Sequence, residues 1–137
     1  MKQSVALLMM LLLATGCSKG VSVQGKVVFE DGTPLTQGEV RFMSDNKTFA
    51  GSIQKDGTFV MMGTTPNSGI EAGTYNVAIT GAFEVIKKDA NDEYGTTKSL
   101  IEKKFGDPKE SGLTCNVEKS MTVEFKVSPP GASGTKP

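Results

Sequence analysis

The run Met121-Thr122-Val123-Glu124-Phe125-Lys126-Val127 alternates apolar and polar side chains without a break. Successive side chains on an extended strand point to opposite faces, so a period of two describes a strand buried on one side and wetted on the other. The same alternation recurs along the chain. Val21, Val23, Val27 and Phe29 share one face, with Gln24, Lys26 and Val28 among those opposite, and Val40 and Phe42 alternate with Glu39 and Arg41. Phe49, Gly51 and Ile53 form a third run, and Phe59 to Met62 a fourth that is apolar on both faces. Tyr75, Val77 and Ile79 point away from Asn76 and Thr80, and Leu113, Cys115 and Val117 precede the run at residue 121. Seven such strands predict an all-β fold, a seven-stranded Greek-key β-sandwich, because each half-apolar sheet needs a second sheet to cover it.

The breaks between runs carry turn chemistry. Asp31-Gly32-Thr33-Pro34 and Lys55-Asp56-Gly57-Thr58 place glycine where backbone freedom is needed, and Asp-Gly between alternating runs predicts a hairpin. Asp31 and Asp56 are each expected to accept the amide two residues on. Glu118-Lys119-Ser120 connects the last two strands. Before them lies a long charged insertion at about residues 83–111, a length at which loops are functional or disordered. Inside it Leu100, Ile101, Lys104 and Phe105 predict a short helix with Ser99 as N-cap. Residues 129–137, rich in Pro, Gly and Ser, read as a flexible tail.

The N-terminus has a different pattern. Lys2 supplies a positive charge, Val5 to Ala14 are unbroken apolar residues, and the small residues Thr15 and Gly16 precede Cys17. This order predicts a secretory signal over residues 1–16, since the apolar run is about half the roughly 20 residues a spanning helix needs. The segment Leu13-Ala14-Thr15-Gly16-Cys17 resembles a bacterial lipobox, with Ala14 where Leu is usual. That resemblance implies lipidation of the Cys17 thiol, two or three acyl chains in all, and a mature protein held to a bacterial membrane through the tether 17–20. Ser18, in place of Asp, leaves the outer membrane open as a destination under the sorting rule that this resemblance carries.

The stretch Val23-Gln24-Gly25-Lys26-Val27, then Asp31-Gly32-Thr33-Pro34-Leu35 and Gly38-Glu39-Val40-Arg41-Phe42, resembles carboxypeptidase-regulatory-like, transthyretin-like sandwich domains. Gln54-Lys55-Asp56-Gly57-Thr58-Phe59 is similar to their Asp-Gly hairpin, and Glu71-Ala72-Gly73-Thr74-Tyr75-Asn76-Val77 to their Gly-x-Tyr strand entry, with Glu71 where proline is usual. Ile101 to Pro108 and Ser111 to Thr114 resemble the C-terminal block of small lipoproteins from planctomycete-type bacteria. The resemblance implies a transthyretin-like sandwich over about residues 21–128 and an envelope location. It implies no reaction.

The residue inventory restricts chemistry further. With no histidine, the commonest base near neutral pH and the commonest zinc ligand are missing, and no catalytic residue is assigned. The chain has two cysteines. Acylation of Cys17 leaves Cys115 as a buried free thiol on its strand's apolar face, whereas a Cys17–Cys115 disulfide is the competing arrangement. Asp89, Asp92 and Glu93 are the candidate Ca²⁺ ligands, with Asp107 and Glu110 later in the same segment. Their spacing does not match the EF-hand loop, and Lys87, Lys88 and Lys98 favour a solvated mixed-charge surface instead. Tyr94, in polar surroundings, is the candidate surface aromatic. The balance of 15 basic against 15 acidic side chains offers no basic stripe for nucleic acid.

These features predict a non-enzymatic envelope lipoprotein on the periplasmic or cell-surface side of a bacterial membrane. No cofactor is expected, and the partners are the membrane, through lipid, and an envelope or cell-surface protein. The alternative is a small-ligand module for carbohydrate or Ca²⁺ centred on residues 89–110; a hydrolase ranks last.

Overall fold

The computed structural model describes residues 20–63 and 68–131. Residues 1–19, where the signal segment, Cys17 and the tether are expected, residues 64–67, and residues 132–137 of the expected tail lie outside these. Among the described residues the strands are β1 Val23–Phe29, β2 Glu39–Ser44, β3 Lys47–Ser52, β4 Thr58–Val60, β5 Gly73–Thr80, β6 Phe83–Ile86, β7 Thr96–Ser99, β8 Leu113–Val117 and β9 Met121–Val127. One sheet has the order β4-β1-β9 and the other β3-β2-β5-β8. These seven strands are the seven expected from alternation, and they make an all-β sandwich. β6 and β7 form a two-stranded sheet of their own.

β1 and β9 pair in parallel from Val23↔Met121 to Phe29↔Val127. A parallel pair cannot be closed by a tight turn, so nearly the whole domain serves as the connection between its first and last strands. β2 and β3 form the simplest unit, a hairpin closed by Asp45 and Asn46. The chain crosses between the two sheets of the sandwich from β1 to β2, β3 to β4, β4 to β5, and β8 to β9, and it leaves β5 for the β6–β7 sheet before returning at β8.

The expected apolar faces meet between the sheets. Val23, Val27, Phe59, Phe125 and Val127 from one side and Val40, Phe42, Tyr75, Val77, Ile79 and Val117 from the other are all buried. Each large side chain removed from water contributes about 1.5–3 kcal/mol. Phe59 and Phe125 stack with centroids 6.0 Å apart and planes 11° from parallel. Phe125 also meets Phe42 edge-on at 6.1 Å, which links the two sheets through aromatic contact. Gly25 makes room for the stack. A Cβ there would lie 2.2 Å from the Val123 carbonyl oxygen and 2.8 Å from the Phe59 ring.

Asp31 and Asp56 act as expected, accepting the amides of Thr33 at 2.9 Å and Thr58 at 3.0 Å. The hairpin expected at Asp56-Gly57 differs from what forms. The turn closes, with the Gln54 amide donating to the Thr58 carbonyl at 2.8 Å, but β3 and β4 then part into different sheets. Phe59 pairs across to Gly25 and stacks on Phe125, so core burial directs β4 away from β3. The two segments meet again at the Ala50↔Met62 bridge.

The segment at 83–111 divides in two. Its first half, through Ser99, is the exposed β6–β7 hairpin. Its second half belongs to the sandwich: Ile101 and Phe105 are in the core, and the Ser111 hydroxyl donates to the Val77 carbonyl of β5. The short helix expected here is a single 3₁₀ turn, Lys103–Gly106. Ser99 does not cap it; Ser99 ends β7 and donates its hydroxyl to the Ile101 carbonyl at 2.7 Å, while Glu102 holds the cap position without a side-chain cap bond. One turn of apolar spacing cannot repay the nucleation of an α-helix, and packing of Ile101 and Phe105 shapes the segment instead.

Candidate interaction surface

β6 and β7 hold side chains that the sandwich does not bury. Phe83-Glu84-Val85-Ile86 and Thr96-Thr97-Lys98-Ser99 are rich in β-branched residues, and their register runs from Phe83↔Ser99 to Ile86↔Thr96. The loop between them is organised by carboxylates. Asp89 accepts the Asn91 amide at 2.8 Å; Asp92 accepts the Gly95 amide at 2.9 Å and the Lys88 amide at 3.2 Å. Those backbone bonds hold the Asp92 carboxyl below the ordinary carboxylate range. Gly95 has φ +65, and a Cβ on it would come within 2.6 Å of Val85, so the turn into β7 requires glycine.

The two faces of the hairpin differ. Phe83, Val85, Thr97 and Ser99 lie on one face and carry no charge. Glu84, Ile86, Thr96 and Lys98 lie on the other, with Lys98 Nζ 3.9 Å from Glu84. Phe83, Val85 and Ile86 are between 44% and 53% exposed, and Tyr94 at the loop is 87% exposed. Phe83 and Val85 are thus an exposed apolar pair on the uncharged face, while Ile86 is exposed on the other. The uncharged face borders a groove of about 310 Å³ whose lining includes Ile79, Phe83, Thr97 and Ile101 together with the charged residues Glu102 and Lys103. Within that lining the Glu102 side chain, 9% exposed, lies 3.8 Å from Lys104 Nζ.

The base of the hairpin is fastened at three points. The Leu100 amide donates to the Ala82 carbonyl at 2.9 Å, the Glu102 amide to the Ser128 carbonyl at 2.9 Å, and the Gln37 side-chain amide to the Phe83 carbonyl. Its position in the sandwich follows from strand direction. Val21 bridges Ile70 where β1 begins, β5 climbs from that end, and the hairpin leaves β5 at the other. β5 has eight residues. A strand of that length spans about 26 Å, the scale of the separation between Val21 and the hairpin base.

Of the residues singled out from sequence, Cys17 lies outside the described set. Cys115 carries a free buried thiol, opposite Tyr75 in the β5–β8 pairing, and burial pushes its pKa up. Tyr94 is on the surface as expected. Asp89 and Asp92 spend oxygens on loop amides, and among the described residues no three His, Cys, Asp or Glu side chains gather as a cation-binding set. Among the described residues, no helix is long and apolar enough to cross a membrane. The hairpin itself is absent from the sequence-based expectations. Its signal is the pair of β-branched runs on either side of an Asp-containing and Gly-containing loop, masked by charge at 84, 87, 88 and 98.

No protein-family model matches the chain, and no curated protein matches it. Among solved structures the chain is similar to a DUF3823 family protein from Bacteroides ovatus, with 15% identity and a TM-score of 0.46 over 80% of this chain and 45% of that one. A DUF3823 family protein from Bacteroides uniformis has 19% identity and a TM-score of 0.44 over 80% and 43%. The chain thus spans less than half the length of either.

Proposed function

We propose that this chain is an exported envelope protein, lipid-anchored through Cys17, whose transthyretin-like, carboxypeptidase-regulatory-like sandwich is a non-enzymatic protein-contact module. The observation that carries the reading is the β6–β7 hairpin, which exposes Phe83, Val85, Ile86 and Tyr94 at the end of the sandwich opposite residue 20. Ser18, Lys19 and Gly20 alone separate Cys17 from Val21, whose bridge to Ile70 opens the folded domain, so the tether is short. A short tether holds the N-terminal end of the domain at the bilayer and turns the hairpin outward. The sandwich is then a rigid spacer, and the hairpin is the part that meets another molecule. Absence of histidine from the sequence supports the non-enzymatic part of the reading. The seven-strand, two-sheet arrangement with its Asp-Gly and Gly-x-Tyr segments supports the transthyretin-like part.

Two measurements test it. Intact mass of the membrane-extracted protein should give an N-terminus at Cys17 with acyl mass added, and Cys17→Ala should release the protein from membranes. Cross-linking in intact membranes should capture an envelope protein, and replacement of residues 85–97 by Asn-Gly should abolish that capture. The replacement joins Glu84 to Lys98, which already face each other, through a two-residue hairpin loop. Unchanged capture by the shortened chain overturns the hairpin as the contact element.

A further inference from the structure

Among the described residues, the outward edge of β7 has a row of backbone groups that no other strand uses, beside a mainly apolar groove that Glu102 and Lys103 also line. Phe83 donates its amide to the Gly81 carbonyl at 3.0 Å and accepts the Gln37 side-chain amide at its own carbonyl, so neither group turns toward β7. Phe83↔Ser99 is therefore a non-hydrogen-bonded pair of the antiparallel ladder. Such pairs alternate with bonded ones, which makes Glu84↔Lys98 bonded, Val85↔Thr97 non-bonded and Ile86↔Thr96 bonded. Thr97 and Ser99 then direct amide and carbonyl away from β6, along an edge that pairs with no other strand among the described residues. On β6 the corresponding edge is shorter, because Gln37 occupies it at Phe83.

We infer that the β7 edge accepts an extended segment of a partner protein as an added strand, with an apolar side chain of that segment entering the groove between Phe83 and Ile101. The inference rests on the contact-module reading and specifies how the contact is made. Main-chain bonds to Thr97 and Ser99 supply affinity, and the groove supplies selectivity, as in other strand-addition complexes. At about 310 Å³ the groove suits one or two side chains, not a folded surface. The area argues against a second copy of this chain, since four exposed apolar side chains fall short of the roughly 800 Å² per partner of a stable dimer. Residues 83–99 hold three lysines against four acidic residues, so an anionic bilayer gains nothing from this face.

The test uses the full chain purified in detergent, with a displayed library of linear random heptapeptides as probe. Thr97→Pro removes an outward amide and no ladder bond, and a melting temperature like that of the wild type shows that the variant is folded. Selected peptides should bind the wild type and lose at least about tenfold affinity for Thr97→Pro, the scale of one lost main-chain bond. Amide exchange on the unaltered chain provides a second measurement: bound peptide should protect Thr97 and Ser99 and leave Val85 unprotected. Failure to select peptides, equal binding to Thr97→Pro, or protection confined to Val85 overturns strand addition. If peptides fail while the membrane cross-link still depends on residues 85–97, the contact reading survives without this inference. If both fail, both fall.

Discussion

The Tyr75 hydroxyl donates to the Glu71 carbonyl at 2.7 Å, four residues back, and so ties the start of β5 to the chain entering it. The ring beneath is buried against Phe42 and Phe49, with centroids 5.8 and 5.9 Å away. Burial raises the pKa of the hydroxyl, which keeps it a neutral donor. Similar tyrosine corners recur in sandwich folds where a strand enters a sheet after crossing over. Tyr75→Phe keeps the ring and loses the bond, so it should lower unfolding free energy by about 1 kcal/mol in urea titration. An undiminished midpoint would mean that the bond adds nothing beyond ring packing.

The two halves of residues 83–111 should respond differently to alteration. Replacing residues 85–97 by Asn-Gly removes mainly exposed side chains and should change stability by no more than about 0.5 kcal/mol. Phe105→Ala empties a core position and should cost about 3 kcal/mol or more. Thermal melts of the two variants beside wild type make the comparison. Unfolding of the shortened chain would show the hairpin to be part of the cooperative unit.

Asp56 should give the domain part of its acid sensitivity. The Thr58 hydroxyl and amide, at 2.6 and 3.0 Å, hold its carboxyl below the ordinary value. The folded-state pKa is therefore lower than the unfolded one. Its stabilising contribution is complete above the ordinary carboxylate value, about 3.9, and is lost as pH falls through the folded value. Asp56→Asn retains an acceptor that does not titrate. The difference in melting temperature between wild type and Asp56→Asn should be constant above about pH 5 and should shift in the variant's favour below about pH 4. A difference that is flat down to acid pH would remove Asp56 from the pH response.

Cys115 should be protected in the folded chain. The residue is 5% exposed and its pKa is raised by burial, both of which lower the available thiolate. In a chain starting at residue 17 with Cys17→Ser, Cys115 is the sole thiol. Alkylation by iodoacetamide should be slower than in denaturant on the order of 100-fold or more, since the reagent must wait for opening. Comparable rates in the two conditions would place Cys115 outside the core.

Local rules settled much of the architecture. Seven strands, their inward faces and the two Asx turns were legible because period-two burial and a carboxylate's reach to the amide two residues on depend only on neighbours in the chain. The same alternation places Cys115 on the buried face. Three features depended on contacts between distant segments. β3 and β4 part because Phe59 is claimed by Gly25 and Phe125, both far from it in the chain. Ile101 and Phe105 form no α-helix because the interior of the sandwich holds them. The hairpin at 83–99 carries too little apolar periodicity to announce itself, and Gln37, far earlier in the chain, engages Phe83 on β6 and leaves β7 as the longer open edge. Pairing between segments is decided by which partners compete for the same edge, and that competition is a property of the folded chain alone.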